Sequence, residues 1–237
     1  MSESRFSSDD LRSNRGSSTL KASGPIQYLD GSTEFCGHRF KTDRRALIPR
    51  FETEYLVRRT LEWCAKNNQT CSIIDVGTGS GVIAISLALS LPEAKITAID
   101  LSSGALELAR ENAVLHHVDD RISFLQSDLL ENFSGSADVI LANLPYIPTE
   151  RVGQLDSSVK DHEPHSALDG GPDGLAIYRR LFEQLKSLKP KFCIFEMDDD
   201  QAESIRKELE KSFSDSNIEI VKDTSDFNRY AILEIKQ

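Results

Sequence analysis

Apolar and polar residues follow two alternating patterns along the chain. Short runs of mainly apolar residues predict buried strands, and longer segments with apolar residues three or four positions apart predict amphipathic helices. The runs predict strands at residues 71–76, 95–100, 121–126, 137–143, 191–197, 217–222 and 229–235. The helical spacing predicts helices at about residues 52–66, 82–90, 103–116, 174–188 and 201–213.

Strands that alternate with helices indicate an α/β fold, in which helices cover both faces of a mostly parallel sheet. The last two predicted strands are separated only by residues 223–228, so they must pair antiparallel at the edge of the sheet. We therefore expect a seven-stranded, mostly parallel sheet with an antiparallel C-terminal hairpin. Ligands of such sheets bind beyond the carboxyl ends of the strands, where the strand order reverses.

The segments before the first of these elements differ from the rest in composition. Residues 1–24 are rich in serine and poor in large apolar residues, which predicts a disordered tail. Glycines separate short apolar stretches in residues 25–50, which predicts a short hairpin-like cover segment. Residues 51–237 then form the main domain.

Composition narrows the classes of function. The net charge of −10 argues against a protein that holds nucleic acid mainly through its phosphates, although residues 39–50 contain a local cluster of arginine and lysine. No stretch approaches the roughly 20 apolar residues that a membrane span requires. The four cysteines form no Cys-x-x-Cys pair, which favours reduced thiols in a cytoplasmic protein.

The first strand of the main domain ends in a glycine-rich turn, Asp75-Val-Gly77-Thr-Gly79-Ser-Gly81. Its glycines allow a sharp turn and let a ligand lie against the backbone, while the helix that follows offers free N–H groups. The spacing differs from that of dinucleotide-binding turns and of phosphate-binding loops. The turn therefore suits a ligand with an amino-acid end in place of a pyrophosphate.

Carboxylates follow three successive strands. Asp75 precedes the glycine turn, and Asp100 ends the next strand, where it is placed to accept hydrogen bonds from ribose hydroxyls. Asp128 follows the third strand and is placed to meet an adenine amino group. Each acid alone is typical of a loop cap, but three in this pattern beside the glycine turn predict a nucleoside site.

The strand predicted at residues 137–143 ends in Asn143-Leu144-Pro145-Tyr146. Proline donates no backbone hydrogen bond and fixes its own φ, so the sheet cannot continue through it. The carbonyls before it and the Asn143 side chain can accept both protons of a planar –NH2 group, and the Tyr146 ring can pack against its plane. A strand end followed by an ordinary turn is the structural alternative.

These motifs resemble the class I S-adenosylmethionine (SAM) methyltransferases and, more narrowly, the HemK/PrmC family of protein-glutamine N5-methyltransferases. The resemblance extends from about Pro25 to the C-terminus. It rests on residues 25–31, 34–37, 48–54, 75–86, 143–148 and 163–174, of which Glu-Thr-Glu at 52–54 and Gly-Gly-x-Asp-Gly at 170–174 are the most specific.

The resemblance implies a Rossmann-like sandwich, SAM as methyl donor without a metal, and methyl transfer to the side-chain amide of a protein glutamine. The substrate it implies is the Gly-Gly-Gln glutamine of a peptide chain release factor, or a ribosomal protein. The catalytic residues it implies are Asn143, Leu144, Pro145 and Tyr146, with Asn143 Oδ1 and the Leu144 carbonyl accepting the two amide protons. Substrate contacts are implied for Asn143, Pro145, Tyr146 and Phe35. The cofactor contacts it implies are Arg50, Thr53, Asp75, Gly77, Thr78, Gly79, Gly81, Asp100, Leu101, Asp128, Leu129 and Asn143.

The chain departs from the family pattern in several places. Leu144 and Phe51 stand where the family usually has proline, and the residues before Pro25 stand in place of a helical N-terminal domain. Two alternatives therefore stay open. Asn-Leu-Pro-Tyr also resembles the motif of adenine-N6 methyltransferases that act on RNA, and a SAM-binding scaffold without catalysis would share the cofactor motifs. We expect a monomer, with a partner subunit in place of the missing domain as the alternative.

Overall fold

The computed structural model describes residues 24–67 and 70–235. The predicted tail, residues 1–24, lies outside this part of the chain except for Gly24. Within the described residues, two strands form a hairpin and seven form the main sheet. The strands are β1 (Ser32–Phe35), β2 (His38–Lys41), β3 (Ser72–Val76), β4 (Lys95–Asp100), β5 (Ile122–Gln126), β6 (Val139–Ala142), β7 (Phe192–Glu196), β8 (Asn217–Lys222) and β9 (Asn228–Glu234).

The strand order of the main sheet is β5-β4-β3-β6-β7-β9-β8. Neighbouring strands in this sheet are parallel except for the pairs β7–β9 and β8–β9, which are antiparallel. The predicted seven-stranded sheet with its antiparallel C-terminal pair is thus confirmed. The chain runs outward from β3 to β5 and then returns to the other side of β3 as β6, so the strand order reverses between β3 and β6. This is where the fold leaves room for a ligand.

Helices cover both faces of the sheet because successive residues of each buried strand point to opposite faces. Ile73 belongs to the apolar cluster under α2, α3 and α4, whereas Ile74 belongs to the cluster under α7 and α8. The helices are α1 (Ile26–Asp30), α2 (Glu54–Asn67), α3 (Val82–Ser90), α4 (Ser103–Leu115), α5 (Thr149–Val152), α6 (Ser157–Lys160), α7 (Ala176–Leu188) and α8 (Ala202–Ser212). Among the described residues, no helix combines the length and the apolar character that crossing a membrane requires.

The segment predicted as a cover, residues 25–50, contains the antiparallel hairpin of β1 and β2, preceded by the short helix α1. Phe35 and Phe40 are buried in the core beneath α2 and α3, and their rings meet edge to face. Asn112 of α4 exchanges hydrogen bonds with the backbone of Lys41, with its Oδ1 accepting and its Nδ2 donating. The hairpin is therefore part of the domain core, in addition to lying over it.

Two predicted elements have different bounds in the structure, for local reasons. The helix predicted from residue 174 begins at Ala176, because Gly174 has a φ of 77°, which no residue of a right-handed helix adopts. The strand predicted at 137–143 pairs only over Val139–Ala142. Its ladder stops three residues before Pro145, and this leaves Asn143 and Leu144 outside the sheet.

Candidate active site

A cavity of about 440 Å³ lies beyond the carboxyl ends of β3, β4 and β6. Its lining comes from the glycine turn after β3, the ends of β4 and β6, the loop after β5 and the turn before α2. A second cleft of about 540 Å³ lies between α2 and the β8–β9 hairpin, away from the glycine turn and from the carboxyl ends of the parallel strands. We place the active site in the smaller cavity because the fold directs backbone groups and strand-end side chains into it.

The glycine turn brings bare backbone to the cavity wall. Gly77 has a φ of 74°, and a Cβ placed on it would lie 2.8 Å from Leu144 Cδ2. The N–H groups of Gly77 and Thr78 both donate to the carbonyl of Ile99, at 2.8 and 2.9 Å. These bonds tie the turn to β4, so the turn presents a fixed backbone surface to a ligand.

Asp75 lies beneath the turn and does not line the cavity. Its Oδ2 accepts hydrogen bonds from Thr78 Oγ1 at 2.6 Å and from the backbone N–H of Ala84 at 3.2 Å. Its Oδ1 is buried and has no partner among the described residues. Burial raises the pKa of Asp75 to about 7. The structure thus corrects the expectation of a cofactor contact. Asp75 instead stabilises the turn through its hydrogen bonds to Thr78 and Ala84.

Asp100 is placed on the cavity wall at the end of β4. Its Oδ2 accepts from the backbone N–H of Gly79 at 2.9 Å, and its Oδ1 accepts from that of Ser102 at 2.9 Å. Burial raises the pKa of this carboxyl, and the backbone N–H groups of Ser102, Gly79 and Leu101 oppose the increase. Each oxygen keeps a free lone pair, so Asp100 can accept further hydrogen bonds from a ligand. The side chain of its neighbour Leu101 also lines the cavity and is 64% exposed.

Asp128 and Leu129 also line the cavity, in the loop after β5. The Asp128 carboxylate pairs with the guanidinium of Arg180 at 2.7 Å. Leu129 has a φ of 53°, which is uncommon for a residue other than glycine. The ion pair holds α7 against this loop, because Arg180 belongs to α7 and lines the same cavity.

Asn143 is the first residue after β6, and its side chain reaches the cavity floor. Asn143 Nδ2 donates to Thr53 Oγ1 at 3.0 Å, and Thr53 Oγ1 in turn donates to Glu196 Oε2 at 2.8 Å. Neither Asn143 Oδ1 nor the Leu144 carbonyl accepts a hydrogen bond from the part of the chain that the structure describes. The cavity floor therefore presents two free acceptors on adjacent residues.

Leu144 is held by a hydrogen bond that a proline could not make. Its backbone N–H donates to the hydroxyl of Tyr178 at 3.3 Å. That hydroxyl is itself directed at the carbonyls of Ala142, at 3.2 Å, and of Glu196. Tyr178 is fully buried in α7. The Tyr178 hydroxyl therefore connects the loop after β6 to the ends of β6 and β7. In the family pattern, a proline at position 144 would restrict this loop instead.

The Gly-Gly-Pro-Asp-Gly segment packs against the backbone of the same loop. A Cβ on Gly170 would lie 2.6 Å from the Pro145 carbonyl oxygen, and one on Gly174 would lie 2.1 Å from that of Tyr146. Gln201 supports the loop from α8's side, where its Nε2 donates to the Tyr146 carbonyl at 2.7 Å. These glycines are required because two backbone segments lie in direct contact.

With this geometry in place, comparison with known proteins identifies the family. Residues 67–236 match a family model described as a methyltransferase domain. A release factor glutamine methyltransferase of Chlorobaculum tepidum is 38% identical over 216 residues, which cover 86% of this chain and 72% of that protein. The Bacillus cereus protein of the same name is 36% identical over 219 residues, which cover 90% of this chain and 77% of that protein. The chain belongs to the release factor glutamine methyltransferase family.

Solved structures share the methyltransferase fold at lower identity. A ribosomal protein L11 methylase from Lactobacillus delbrueckii subsp. bulgaricus aligns with a TM-score of 0.57 at 22% identity and covers 79% of this chain and 81% of that one. The hMettl16 catalytic domain in complex with a hairpin of the MAT2A 3'UTR aligns with a TM-score of 0.67 at 14% identity, over 84% of this chain and 76% of that one. At these identities the likeness concerns the fold alone.

The methyltransferase cavity does not include every residue that the family resemblance implied. Phe35 is 1% exposed and packs in the core, so the structure does not bring it to the cavity. Gly81 lies below the turn at the start of α3, where a Cβ would meet Ala109 and Ile85, both at 3.0 Å. Tyr146 stays beside the cavity, and its hydroxyl is directed at Glu196 Oε1 at 3.4 Å. Burial raises the pKa of Tyr146 above its usual range, so the phenol stays protonated.

Several residues of the methyltransferase site were missed from the sequence. Glu163 pairs with Arg50 at 2.5 Å and accepts from the backbone N–H of Ile48 at 3.1 Å, which fixes one wall of the cavity. Arg180, Tyr178 and Glu196 were missed as well, since each acts on a partner far away in the chain. Only Glu163 carried a signal, as part of the family segment that begins there. Among the described residues, no group of three or more histidine, cysteine or acidic side chains is placed to hold a metal ion.

Replacing Gly174 with alanine is expected to lower methyl transfer at least about tenfold, because a displaced active-site group of even 1 Å is costly to catalysis. The new Cβ would overlap the Tyr146 carbonyl oxygen and force the loop after β6 to move. Turnover number and SAM affinity should be measured together, since SAM binding is expected to persist. Gly153→Ala is the matched control, because a Cβ at Gly153 meets no atom of the described residues within 4 Å. Equal turnover in both variants would contradict the expectation.

Proposed function

We propose that this chain transfers a methyl group from SAM to the side-chain amide nitrogen of a glutamine, in the Gly-Gly-Gln sequence of a peptide chain release factor. The observation that carries the proposal is the pair of free acceptors, Asn143 Oδ1 and the Leu144 carbonyl, on the cavity floor. A primary amide has two N–H donors on one nitrogen, and these two acceptors match them. The names of the family members from Chlorobaculum tepidum and Bacillus cereus support the same substrate class.

SAM fits the residues that surround the cavity. The volume of about 440 Å³ lies in the range of small-ligand sites. Side chains at Gly77 and Gly79 would occupy the wall on which an amino-acid end can rest, and both glycines have positive φ angles. Asp100 keeps lone pairs for the ribose hydroxyls, and Leu101, Asp128 and Leu129 enclose the base. Arg50, Thr53, Thr78 and Asn143 also line the cavity and belong to the proposed cofactor site.

When bound, SAM supplies an electrophilic methyl group on a sulfonium sulfur. The residues of the chain have a different task, because an amide nitrogen is a poor nucleophile whose lone pair is delocalised into its carbonyl. Asn143 Oδ1 and the Leu144 carbonyl hold the two N–H groups and so fix the direction of the nitrogen. Both oxygens also stabilise the positive charge that develops on that nitrogen. Pro145 and Tyr146 complete the substrate side of the site, with the Tyr146 ring beside the amide plane.

Methylation of a defined peptide tests the proposal. A release-factor fragment that contains Gly-Gly-Gln should gain one labelled methyl group from SAM, located on the glutamine by mass spectrometry. The same fragment with Gln→Ala should gain none. Equal labelling of the two fragments would contradict the glutamine target. An RNA that offers unpaired adenines serves as a third substrate, and its methylation without that of the fragment would select the adenine-N6 alternative.

Loss of transfer to every substrate, with SAM binding retained, would select the scaffold alternative. The monomeric state, a ribosomal-protein substrate and a cytoplasmic location stay predictions.

A further inference from the structure

Glu196 is a buried acid beside the acceptor loop, and the mechanism proposed above does not use it. It ends β7, is 1% exposed, and does not line the cavity. Both carboxylate oxygens take hydrogen bonds: Oε2 from Thr53 Oγ1 at 2.8 Å and Oε1 from the Tyr146 hydroxyl at 3.4 Å. Its backbone carbonyl accepts from the hydroxyl of Tyr178. Glu196 is therefore fixed in place and acts on the site only through its neighbours.

The proton of the Thr53 hydroxyl determines how Asn143 is oriented. A threonine hydroxyl has one proton to donate and can accept in addition. Since this proton is directed to Glu196, the Thr53 oxygen must accept from the Asn143 side chain, and only Nδ2 can donate. Asn143 Oδ1 then faces away from Thr53 and stays free as an acceptor.

We propose that Glu196 is a positioning residue that, through the Thr53 hydroxyl, fixes the direction in which the Asn143 amide faces. The proposal rests on the proposed function, in which Asn143 Oδ1 must accept a proton of the substrate amide. An ionised carboxylate accepts hydrogen bonds and donates none. Only this form receives the protons of Thr53 and of Tyr146 without bringing a proton of its own that needs an acceptor.

A neutral group at this position must donate to one of its two neighbours. Donation to Tyr146 would leave the phenol proton of Tyr146 without an acceptor, because this hydroxyl has no other acceptor among the described residues. Donation to Thr53 keeps every group bonded, but the Thr53 proton then turns towards Asn143. Asn143 must then present Oδ1 to Thr53 and Nδ2 to the substrate. The Nδ2–H of Asn143 would face an N–H of the substrate amide, and the substrate would lose Oδ1 as its acceptor.

The charge of Glu196 is therefore coupled to the acceptor geometry. Burial raises the pKa of Glu196 to about 7, and the hydrogen bond from Thr53, the charge of Arg229 and the hydrogen bond from Tyr146 oppose that increase. Glu52, in the turn before α2, adds to it. The neighbouring phenols of Tyr146, Tyr178 and Tyr230 all stay protonated, because burial raises their pKa values. The ionised form predominates above this pKa, so the acceptor-ready orientation is favoured as the pH rises through 7.

Glu196→Gln tests the proposal, because glutamine keeps the shape and removes the charge. In the wild type we expect kcat for the Gly-Gly-Gln fragment to rise with pH by about thirtyfold in all, from a low-pH floor set by neutral Glu196 to a plateau above the Glu196 pKa. In Glu196→Gln, kcat should be independent of pH and about thirtyfold below the wild-type plateau, the effect of one lost hydrogen bond to a charged group. The dissociation constant for SAM should stay within about twofold. Glu203→Gln, an exposed change of the same chemistry on α8, is the control.

A second measurement reads the Asn143 amide without any turnover. In ¹⁵N-labelled protein, the side-chain NH2 signals of Asn143, assigned by their loss in Asn143→Ala, should shift with pH at the Glu196 midpoint. In Glu196→Gln they should stay at their low-pH position at every pH. Signals that do not move between pH 5.5 and 8.5, or full wild-type kcat in Glu196→Gln at pH 8, would overturn the proposal.

The two readouts separate this inference from the proposed function. If the wild type does not methylate the fragment, the glutamine proposal fails and the NMR titration still decides the role of Glu196. If Glu196→Gln does not fold, Thr53→Ser and Thr53→Val replace it, since serine keeps the hydroxyl and valine keeps only the shape. The serine variant should turn over at least about tenfold faster than the valine variant. Equal rates in these two variants would also overturn the proposal.

Discussion

Replacing Asn143 with alanine is expected to lower kcat for the Gly-Gly-Gln fragment at least about a hundredfold, the usual effect of removing one group that stabilises charge in a transition state. The side chain supplies one of the two free acceptors at the cavity floor and is held there by Thr53. The Leu144 carbonyl would remain, so the nitrogen would lose its fixed direction as well as half of its charge stabilisation. Steady-state kinetics at saturating SAM measure the effect.

SAM affinity should distinguish this loss from a general disturbance of the cavity. We expect the dissociation constant for SAM to change less than about threefold in Asn143→Ala, because the acceptor contributes mainly in the transition state. Asn217→Ala provides the control, since Asn217 is exposed on the edge strand β8. If kcat fell no further in Asn143→Ala than in the control, Asn143 would have no part in catalysis.

Replacing Asp100 with alanine is expected to act on SAM binding instead. Two hydrogen bonds from ribose hydroxyls to a carboxylate contribute about 3 kcal/mol together, so affinity should fall roughly a hundredfold. Asp100 also accepts a hydrogen bond from the N–H of Gly79. Removing the carboxylate would break this bond and loosen the glycine turn, which should lower SAM affinity further. Isothermal titration calorimetry with SAM, at a pH above 7, measures the change.

Asp100→Asn separates the charge of Asp100 from its shape, and we expect it to bind SAM with intermediate affinity. Asp120→Ala is the matched control, because Asp120 is an exposed acid in the turn before β5. The KM for the glutamine fragment should be unaffected at saturating SAM. An Asp100→Ala variant that binds SAM as tightly as Asp120→Ala would exclude the ribose contact.

The fold was largely predictable because its strands are dense in apolar residues and its helices keep a regular spacing. The predicted bounds of β4, β8 and α3 agree with the structure residue for residue. The errors lie where a backbone angle or a neighbouring strand determines where an element begins or ends. Gly174 delays α7 by its positive φ, and α1 is a five-residue helix without a periodic pattern long enough to identify it.

The site was predictable to the extent that its residues follow strand ends. Asp100, Asp128 and Asn143 were assigned in this way, and all three line the cavity. The depth of a residue below the surface could not be assigned from its position in the chain. Asp75 and Phe35 were therefore placed beside ligands, and the structure buries both. The network of Thr53, Glu196 and Asn143 joins residues up to 143 positions apart, a relation that no local spacing encodes.

The hydrogen bond from Leu144 to Tyr178 links the choice of amino acid at these two positions. Proline at 144 has no N–H, so it would leave the tyrosine hydroxyl with one partner fewer and would fix the loop through its ring. Phenylalanine at 178 would be tolerated best by a chain that already has that proline. A chain that changes both positions should lose less stability than the sum of the two single changes. In this chain, Leu144 and the tyrosine 34 positions later hold the loop together through one hydrogen bond, in place of a proline at position 144.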